Sequence, residues 1–315
     1  FNKLIYQLRN GWLLLLLVVL LMPLNWAIET VKWKLILNDV EKLTFLFALR
    51  SVISGITLGI VTPNGIGDYG GRVLSLKSET RSTALFLNGF LSLSQLLVTV
   101  ICGLLGYSII QDSFSFQVPK PILYGLGAVL LFGFLTKRFK FRFLSSFIKS
   151  RGLQIRIELE NRIKVLFLSI LRYFVFCFQY ILLLKLCGVE LSLLDYLGTI
   201  STIFLVVAIV PTGWFSNLLV RGSVSYYFFE QIGNFGELAV VASSVLWIIN
   251  LFVPAIIGLF FIGKVDWIQL FKFKSKHKLG GCATMRGSEA GYCQGFSCTS
   301  LGTAVRNAPQ SLLDI

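Results

Sequence analysis

Charge is scarce in this chain. Of 315 residues only 14% are Asp, Glu, Lys or Arg and 55% are hydrophobic, whereas an average soluble domain carries about a quarter charged residues. Histidine is nearly absent. His277 is the only one and sits in a basic run, which excludes a histidine-based metal site and a Ser-His-Asp triad. The six cysteines lack the paired close spacing of a zinc site or disulfide framework. Cys102, Cys177 and Cys187 lie in or at the ends of apolar runs and read as small core residues, while Cys282, Cys293 and Cys298 are scattered near the C-terminal end. There is no G-x-x-x-x-G-K-[ST] loop, and hence no sign of nucleotide-driven work. Neither a metal nor a cofactor is expected.

What the chain has instead is long apolar runs. They cover Trp12 to Leu24, Leu43 to Val61, Ala84 to Ile110, Ile122 to Leu135, Val165 to Leu186, Leu197 to Val210 and Leu238 to Ile262, and the mean hydropathy is +0.78. Several meet or approach the ~20 residues needed to cross a bilayer core. The expected fold is all-α, a polytopic transmembrane helix bundle of about six to eight membrane segments. Residues 1–279 read as one integral membrane domain. At Gly280 the composition turns abruptly to small and polar residues without helical period, so 280–315 read as a disordered or non-native tail. The chain opens on Phe1, so its native start is expected upstream. The first apolar run follows Lys3 and Arg9 as in a signal peptide, but no A-x-A-like site follows it, and a retained helix is expected.

The balance of 29 Lys and Arg against 15 Asp and Glu would suggest nucleic acid in a soluble protein. Here the basic residues gather between apolar runs, where anionic headgroups and the positive-inside rule account for them, and no nucleic-acid partner is expected. The cluster Lys137-Arg138-Phe139-Lys140-Phe141-Arg142-Phe143 reads as a snorkelling interfacial helix. Nine basic and two acidic residues between Lys137 and Lys164 put that loop on the cytoplasmic side. Lys3, Arg9 and the run from Lys272 to Lys278 put both termini there too. The expected location is the plasma (inner) membrane.

Four runs, from Trp12, Leu43, Ala84 and Ile122, return the chain to the inside at Lys137 as required, but the three remaining runs would leave the C-terminal end outside. One of them must enter and return, or one must be divided into two crossings, and Leu197 to Val210 is the best choice. It is short and ends in Val210-Pro211-Thr212-Gly213-Trp214, ahead of a polar stretch with Arg221 and Gly222. An earlier break has the same form. Thr62-Pro63-Asn64-Gly65-Ile66-Gly67-Asp68-Tyr69-Gly70-Gly71-Arg72 packs four glycines, a proline, a carboxylate and a guanidinium directly behind an apolar run. Both breaks, near 62–72 and 210–222, carry Pro-x-Gly and then an arginine nine or ten residues beyond the proline. Paired interruptions of this kind point to a polar site between two repeats.

Residues Gly65 to Gly70 match G-x-G-x-x-G, but a dinucleotide site needs a short strand before it and an acid about 20 positions on. A membrane run precedes this one, Arg72 follows at once, and Glu79 is the nearest downstream acid. The glycines are expected to expose N–H groups that can receive a phosphate. Asp68 and Arg72 are one helical turn apart and form either an orienting ion pair or a site in which Arg72 binds a lipid phosphate. Gly65, Gly67, Asp68, Gly70, Gly71, Arg72 and Arg221 are therefore the candidate headgroup residues. Asn25, Glu29 and Trp33 share one helix face, and Asn25, Glu29 and Arg172 are the candidate polar residues of a cavity; Arg172 faces inward or snorkels.

These elements resemble the transmembrane domain family of lysylphosphatidylglycerol synthases, also called flippase-like integral membrane proteins. The resemblance spans roughly Gly11 to Lys264 and rests on Asn25-Trp26-x-x-Glu29-x-x-x-Trp33-Lys34, on Pro63 to Arg72, on Arg172-Tyr173, and on Pro211 through Arg221-Gly222-Ser223. It implies a translocator of phosphate-bearing lipid: an anionic or aminoacylated phospholipid, or a polyprenyl phosphate. In two-function members, lysyl transfer belongs to a separate soluble domain that this chain lacks, so no aminoacyltransferase activity is implied. Phe215-Ser216-Asn217-Leu218 stands where a glycine-rich, acid-containing element is expected, so the two halves are not fully symmetric. Two alternatives remain. One is an accessory membrane subunit bound to a lipid-pathway or glycolipid-pathway enzyme. The other is a membrane-embedded lipid transferase, for which Asp68 has no second acid close in sequence.

Overall fold

The computed structural model describes residues 11–62, 65–136, 157–210 and 214–262, with the side chains of 214, 215 and 262 excepted. They all fall in one compact unit, Phe1–Val265. The basic cluster at 137–143, both Pro-x-Gly elements in part or whole, His277 and the tail at 280–315 lie outside the described residues.

Among the described residues every regular element is helical and none is a strand. In chain order they are α1 (Trp12–Leu37), α2 (Phe45–Val61), α3 (Ile66–Val73), α4 (Arg81–Ile110), α5 (Lys120–Leu135), α6 (Leu159–Leu186), α7 (Leu193–Ile209), α8 (Trp214–Gly233), α9 (Gly236–Trp247) and α10 (Val253–Ile262). Helices α9 and α10 are joined without a break by one wide turn, Ile248–Phe252. Pro254 explains that turn: it has no N–H to return to the carbonyl one turn back, and a wider turn accommodates the lost bond.

Four stretches are long and apolar enough to cross a bilayer: Trp12–Leu37, Arg81–Ser113, Leu159–Leu186 and Gly236–Phe261. At 1.5 Å per residue, the 26 residues of α1 reach about 39 Å, more than the ~30 Å of a hydrocarbon core. Helices α2, α5 and α7 are apolar but shorter, at 16 to 17 residues. The distribution of side chains inverts that of a soluble protein. Leu20, Phe132, Phe167 and Phe260 are 61 to 74% exposed, whereas Glu29, Lys32, Arg72, Asn88 and Gln179 are buried. These are the features of an integral membrane protein, in which polar groups turn inward toward one another.

Small residues bring the helices close, as they do where lipid supplies no hydrophobic drive between them. The widest helix contact joins α4 to α7. There a Cβ on Gly106 would stand 2.6 Å from the Ser201 Cβ and 2.8 Å from the Gly198 carbonyl. Helix α10 lies on α2, where Thr57 Oγ1 donates to the Ala255 carbonyl at 3.2 Å. Helix α1 packs along α6. Two apolar clusters result, one around Tyr180, Leu184, Ile200 and Phe229, the other around Trp33, Val52, Leu87 and Phe90. The inward faces of α1, α3, α4 and α6 meet between them.

Candidate functional site: a buried ion cluster beside an arginine-lined cavity

The first break in the chain is a helical hairpin. Thr44 caps α2 through its hydroxyl, and α2 ends at Thr62, whose backbone is extended. Gly65 then takes a left-handed conformation, φ 67°, which reverses the chain into α3. Helix α3 runs back along α2, with Gly67 against the Leu58 carbonyl and Gly71 against Ser54. A Cβ on Gly71 would stand 2.5 Å from the Ser54 carbonyl and 2.7 Å from the Gly55 Cα. Here the structure corrects an expectation. The Gly67 N–H is not free for phosphate, because it donates to Thr62 Oγ1 at 2.6 Å, and Gly71 is buried. The glycines at 67 and 71 let two backbones touch, while Gly65 and Gly70 face open space.

The hairpin delivers Asp68 and Arg72 to α1. Arg72 Nε donates to Asp68 Oδ1 at 3.0 Å and Arg72 Nη1 to Glu29 Oε1 at 2.8 Å. The guanidinium also stands 5.7 Å from the Trp33 ring centre. Gly55 leaves the room for this pair, since a Cβ there would fall 2.5 Å from Asp68 Oδ1. Ser51 ties three helices together: Trp33 Nε1 donates to its hydroxyl at 3.1 Å, and the hydroxyl donates to the Arg72 carbonyl at 2.5 Å.

Glu29 is the hub of the cluster. Besides Arg72 it accepts from Lys32 Nζ at 3.1 Å and from Arg172 Nη1 at 2.9 Å, both on Oε2. Asn88 Nδ2 donates to Asp68 Oδ2 at 3.2 Å, and Lys32 Nζ also reaches Gln95 Oε1 at 3.3 Å. Two carboxylates thus face three cations, Lys32, Arg72 and Arg172, for a formal charge of 3 − 2 = +1. Unpaired charge in a dry interior costs several kcal/mol per ion, so each carboxylate here is held by cations rather than left free. One turn before Glu29, Asn25 Nδ2 donates to Gln179 Oε1 at 2.9 Å and Asn250 Oδ1 at 3.2 Å. That set joins α1 to α6 and to the wide turn before α10.

Beside the cluster, α4, α6, α7, α8 and α9 line a half-open cavity of about 330 Å³. Arg172 and Arg221 line it, with Gln95, Asn217 and Ser225 as neutral polar neighbours and Phe176, Phe204 and Leu251 among its apolar wall. No aspartate or glutamate is among the described residues of the lining. Asn217 Oδ1 accepts from Arg221 Nε at 2.6 Å, one turn along α8, and Arg221 has no carboxylate partner among the described residues. Arg172 belongs to both places. Its Nη1 is on Glu29, while its Nε is buried without a hydrogen-bond partner.

The structure therefore brings Glu29, Asp68, Arg72 and Arg172 into one connected cluster, puts Asn25 in a separate buried set with Gln179 and Asn250, and puts Arg221 on the cavity that Arg172 shares. It does not bring Arg72 to that cavity's lining: Arg72 is 6% exposed and engaged by two carboxylates. Arg172 faces inward and does not snorkel. Lys32 is the principal residue that sequence reasoning missed, although a lysine three positions after Glu29 on the same helix was a readable signal. Asn88 and Gln95 left no such signal in a long apolar run. Comparison with protein-family models, with curated proteins and with solved structures finds no match to this chain.

Proposed function

We propose that this protein is a flippase-like lipid translocase, or a lipid-binding membrane protein, for phospholipid or another phosphate-bearing lipid. One observation carries the reading: Arg221, with no carboxylate partner among the described residues, lines a half-open, largely apolar cavity between helices whose outer surface is apolar. A lipid headgroup crossing a bilayer must exchange water for fixed donors, and an unneutralised guanidinium inside a bundle is such a donor. The acyl chains would stay in the bilayer along the exposed leucine and phenylalanine faces.

The residues that carry the resemblance to the transmembrane domain of lysylphosphatidylglycerol synthases support the same reading. Glu29, Trp33, Asp68, Arg72 and Arg172 are the ones that interlock around Glu29, Asn25 bonds Gln179 and Asn250 one turn away, and Arg221 lines the cavity that Arg172 shares. In this proposal the bundle has six to eight membrane segments in the plasma (inner) membrane, with broken or re-entrant elements near 62–72 and 210–222, and both termini are cytoplasmic. No nucleotide drives it; movement is passive or gradient-driven. A transferase reading is weaker, because Glu29 and Asp68 are both occupied by cations rather than poised toward the cavity.

Reconstitution of the purified protein into vesicles carrying fluorescent phospholipids tests the proposal. Leaflet exchange of anionic phospholipid or polyprenyl phosphate above that of protein-free vesicles is expected. Exchange at the protein-free rate across the whole panel refutes the translocase, and absence of any bound phosphate-bearing lipid refutes the lipid-binding protein as well.

A further inference from the structure

We infer that the cavity selects its ligand by charge: it holds a phosphate oxyanion between Arg221 and Arg172 and rejects a headgroup bearing a compensating cation. The proposal rests on the reading above only in taking the phosphate to be part of a lipid. It concerns which lipid, and it turns against aminoacylated headgroups.

The argument starts from what the cavity lacks. A lysyl or alanyl ester places an ammonium a few bonds from the phosphate, and a buried ammonium needs a carboxylate or several acceptors. Among the described residues the lining offers two guanidinium groups and no carboxylate. The nearest acid in the bonding network is Glu29, which is reached through Arg172 and already accepts from three cations. An entering ammonium would therefore add like charge beside Arg172 and Arg221 without a partner. A phosphate does the reverse. Arg221 is steadied by Asn217 through Nε, which leaves the rest of its fork for oxygen ligands. Arg172 lines the same cavity, and among the described residues its one hydrogen bond runs from Nη1 to Glu29. Hydroxyls of Ser225 and Ser243 and the side-chain amide of Gln95 lie on the same lining as neutral neighbours. The volume, about 330 Å³, is at the lower end of ligand pockets, suited to a compact headgroup such as glycerol phosphate.

Arg172 gives the site a second property. The guanidinium that completes the oxyanion site is also the third cation on Glu29. A bound phosphate competes with Glu29 for it, so occupancy of the cavity is coupled to the cluster that fastens the α2–α3 hairpin to α1.

The test is calorimetric titration of the full chain in non-ionic detergent with dihexanoyl phosphatidylglycerol, dihexanoyl phosphatidylcholine, the lysyl ester of dihexanoyl phosphatidylglycerol, and glycerol 3-phosphate. Phosphatidylglycerol should bind saturably, phosphatidylcholine more weakly, and the lysyl ester at least about tenfold more weakly than phosphatidylglycerol, since an uncompensated buried ammonium costs at least as much as one lost charge-assisted contact, itself worth about ten- to a hundredfold. Arg221→Gln should weaken phosphatidylglycerol by the same factor, and Lys120→Gln, on the surface, should leave it unchanged. Should Arg221→Gln fail to fold, the four ligands on the unaltered chain still decide. Equal affinity for phosphatidylglycerol and its lysyl ester overturns the proposal, as does full affinity in a folded Arg221→Gln protein. Glycerol 3-phosphate separates the sources of the oxyanion: binding tenfold or more below phosphatidylglycerol supports a lipid, and equal binding overturns the lipid assignment. Charge-selective binding without leaflet exchange would sink the translocase reading and leave this one standing.

Discussion

Replacing Glu29 by glutamine removes the one charge on which three cations converge. Lys32, Arg72 and Arg172 contact its carboxylate at 3.1, 2.8 and 2.9 Å, and the side chain is 6% exposed. The cluster's formal charge would rise from +1 to +2, counting Lys32, Arg72 and Arg172 against Asp68 alone. Breaking a buried ion pair by deleting one partner costs about 3–5 kcal/mol, since the survivors stay buried without compensation. Glutamine keeps an acceptor oxygen for one of the three donors, which places the loss toward the lower end. Against a total stability of about 5–15 kcal/mol, that is a large shift. The assay is denaturant unfolding in mixed micelles, followed by tryptophan fluorescence, with the midpoint as readout. The double variant Glu29→Gln/Lys32→Gln returns the cluster to +1, leaving Arg72 and Arg172 against Asp68. It should therefore recover part of the loss, with coupling of about 0.5–3 kcal/mol as for residues in direct contact. A Glu29→Gln protein as stable as the parent, or a double variant whose two losses simply add, would refute the reasoning.

Three further outcomes follow from the hairpin and the helix contacts. Gly71→Ala should lower the unfolding midpoint by the equivalent of about 1–3 kcal/mol, because its Cβ would meet the backbone of Ser54 and Gly55, whereas Gly70→Ala, which faces open space, should be neutral or stabilising by up to ~1 kcal/mol. Ser51→Ala orphans the buried Trp33 N–H and should cost about 1–3 kcal/mol in the same assay, with a shift in tryptophan emission. Gly106→Leu should separate α4 from α7 and reduce the yield of folded protein on size-exclusion chromatography in detergent, while Gly125→Leu, with nothing near its Cβ, should not.

Much of this architecture was legible before any coordinates. Long apolar runs declared helices, and the glycine-rich break after Val61 declared that a helix stops there. The i, i+4 spacing of Asp68 and Arg72 already suggested their ion pair, and the spacing of Asn25 and Glu29 suggested a polar face. What could not be read was partnership. Arg72 meets Glu29 across 43 positions and Arg172 meets it across 143, and local spacing says nothing about such pairs. The glycines misled for a related reason. Closely spaced glycines fit both an exposed anion nest and a tight helix contact, and only the position of α2 decides for packing at Gly67 and Gly71. Helix α8 was read as a polar stretch rather than as a helix. Its Asn217, Arg221 and Ser225 lie on the cavity, so its polar residues mark an inward face, not an exposed loop. Polar residues on a helix inside a membrane bundle dilute the very apolar signal by which such helices are found.

The central claim is that a phosphate-bearing lipid occupies the cavity of Arg221 and Arg172. Its most direct test is mass spectrometry of the lipids that co-purify with the protein from native membranes in mild detergent, compared between the parent and Arg221→Gln. The account predicts an anionic phosphate lipid enriched over its membrane abundance on the parent and lost from a folded Arg221→Gln protein. The same lipids in the same amounts on both proteins would contradict it.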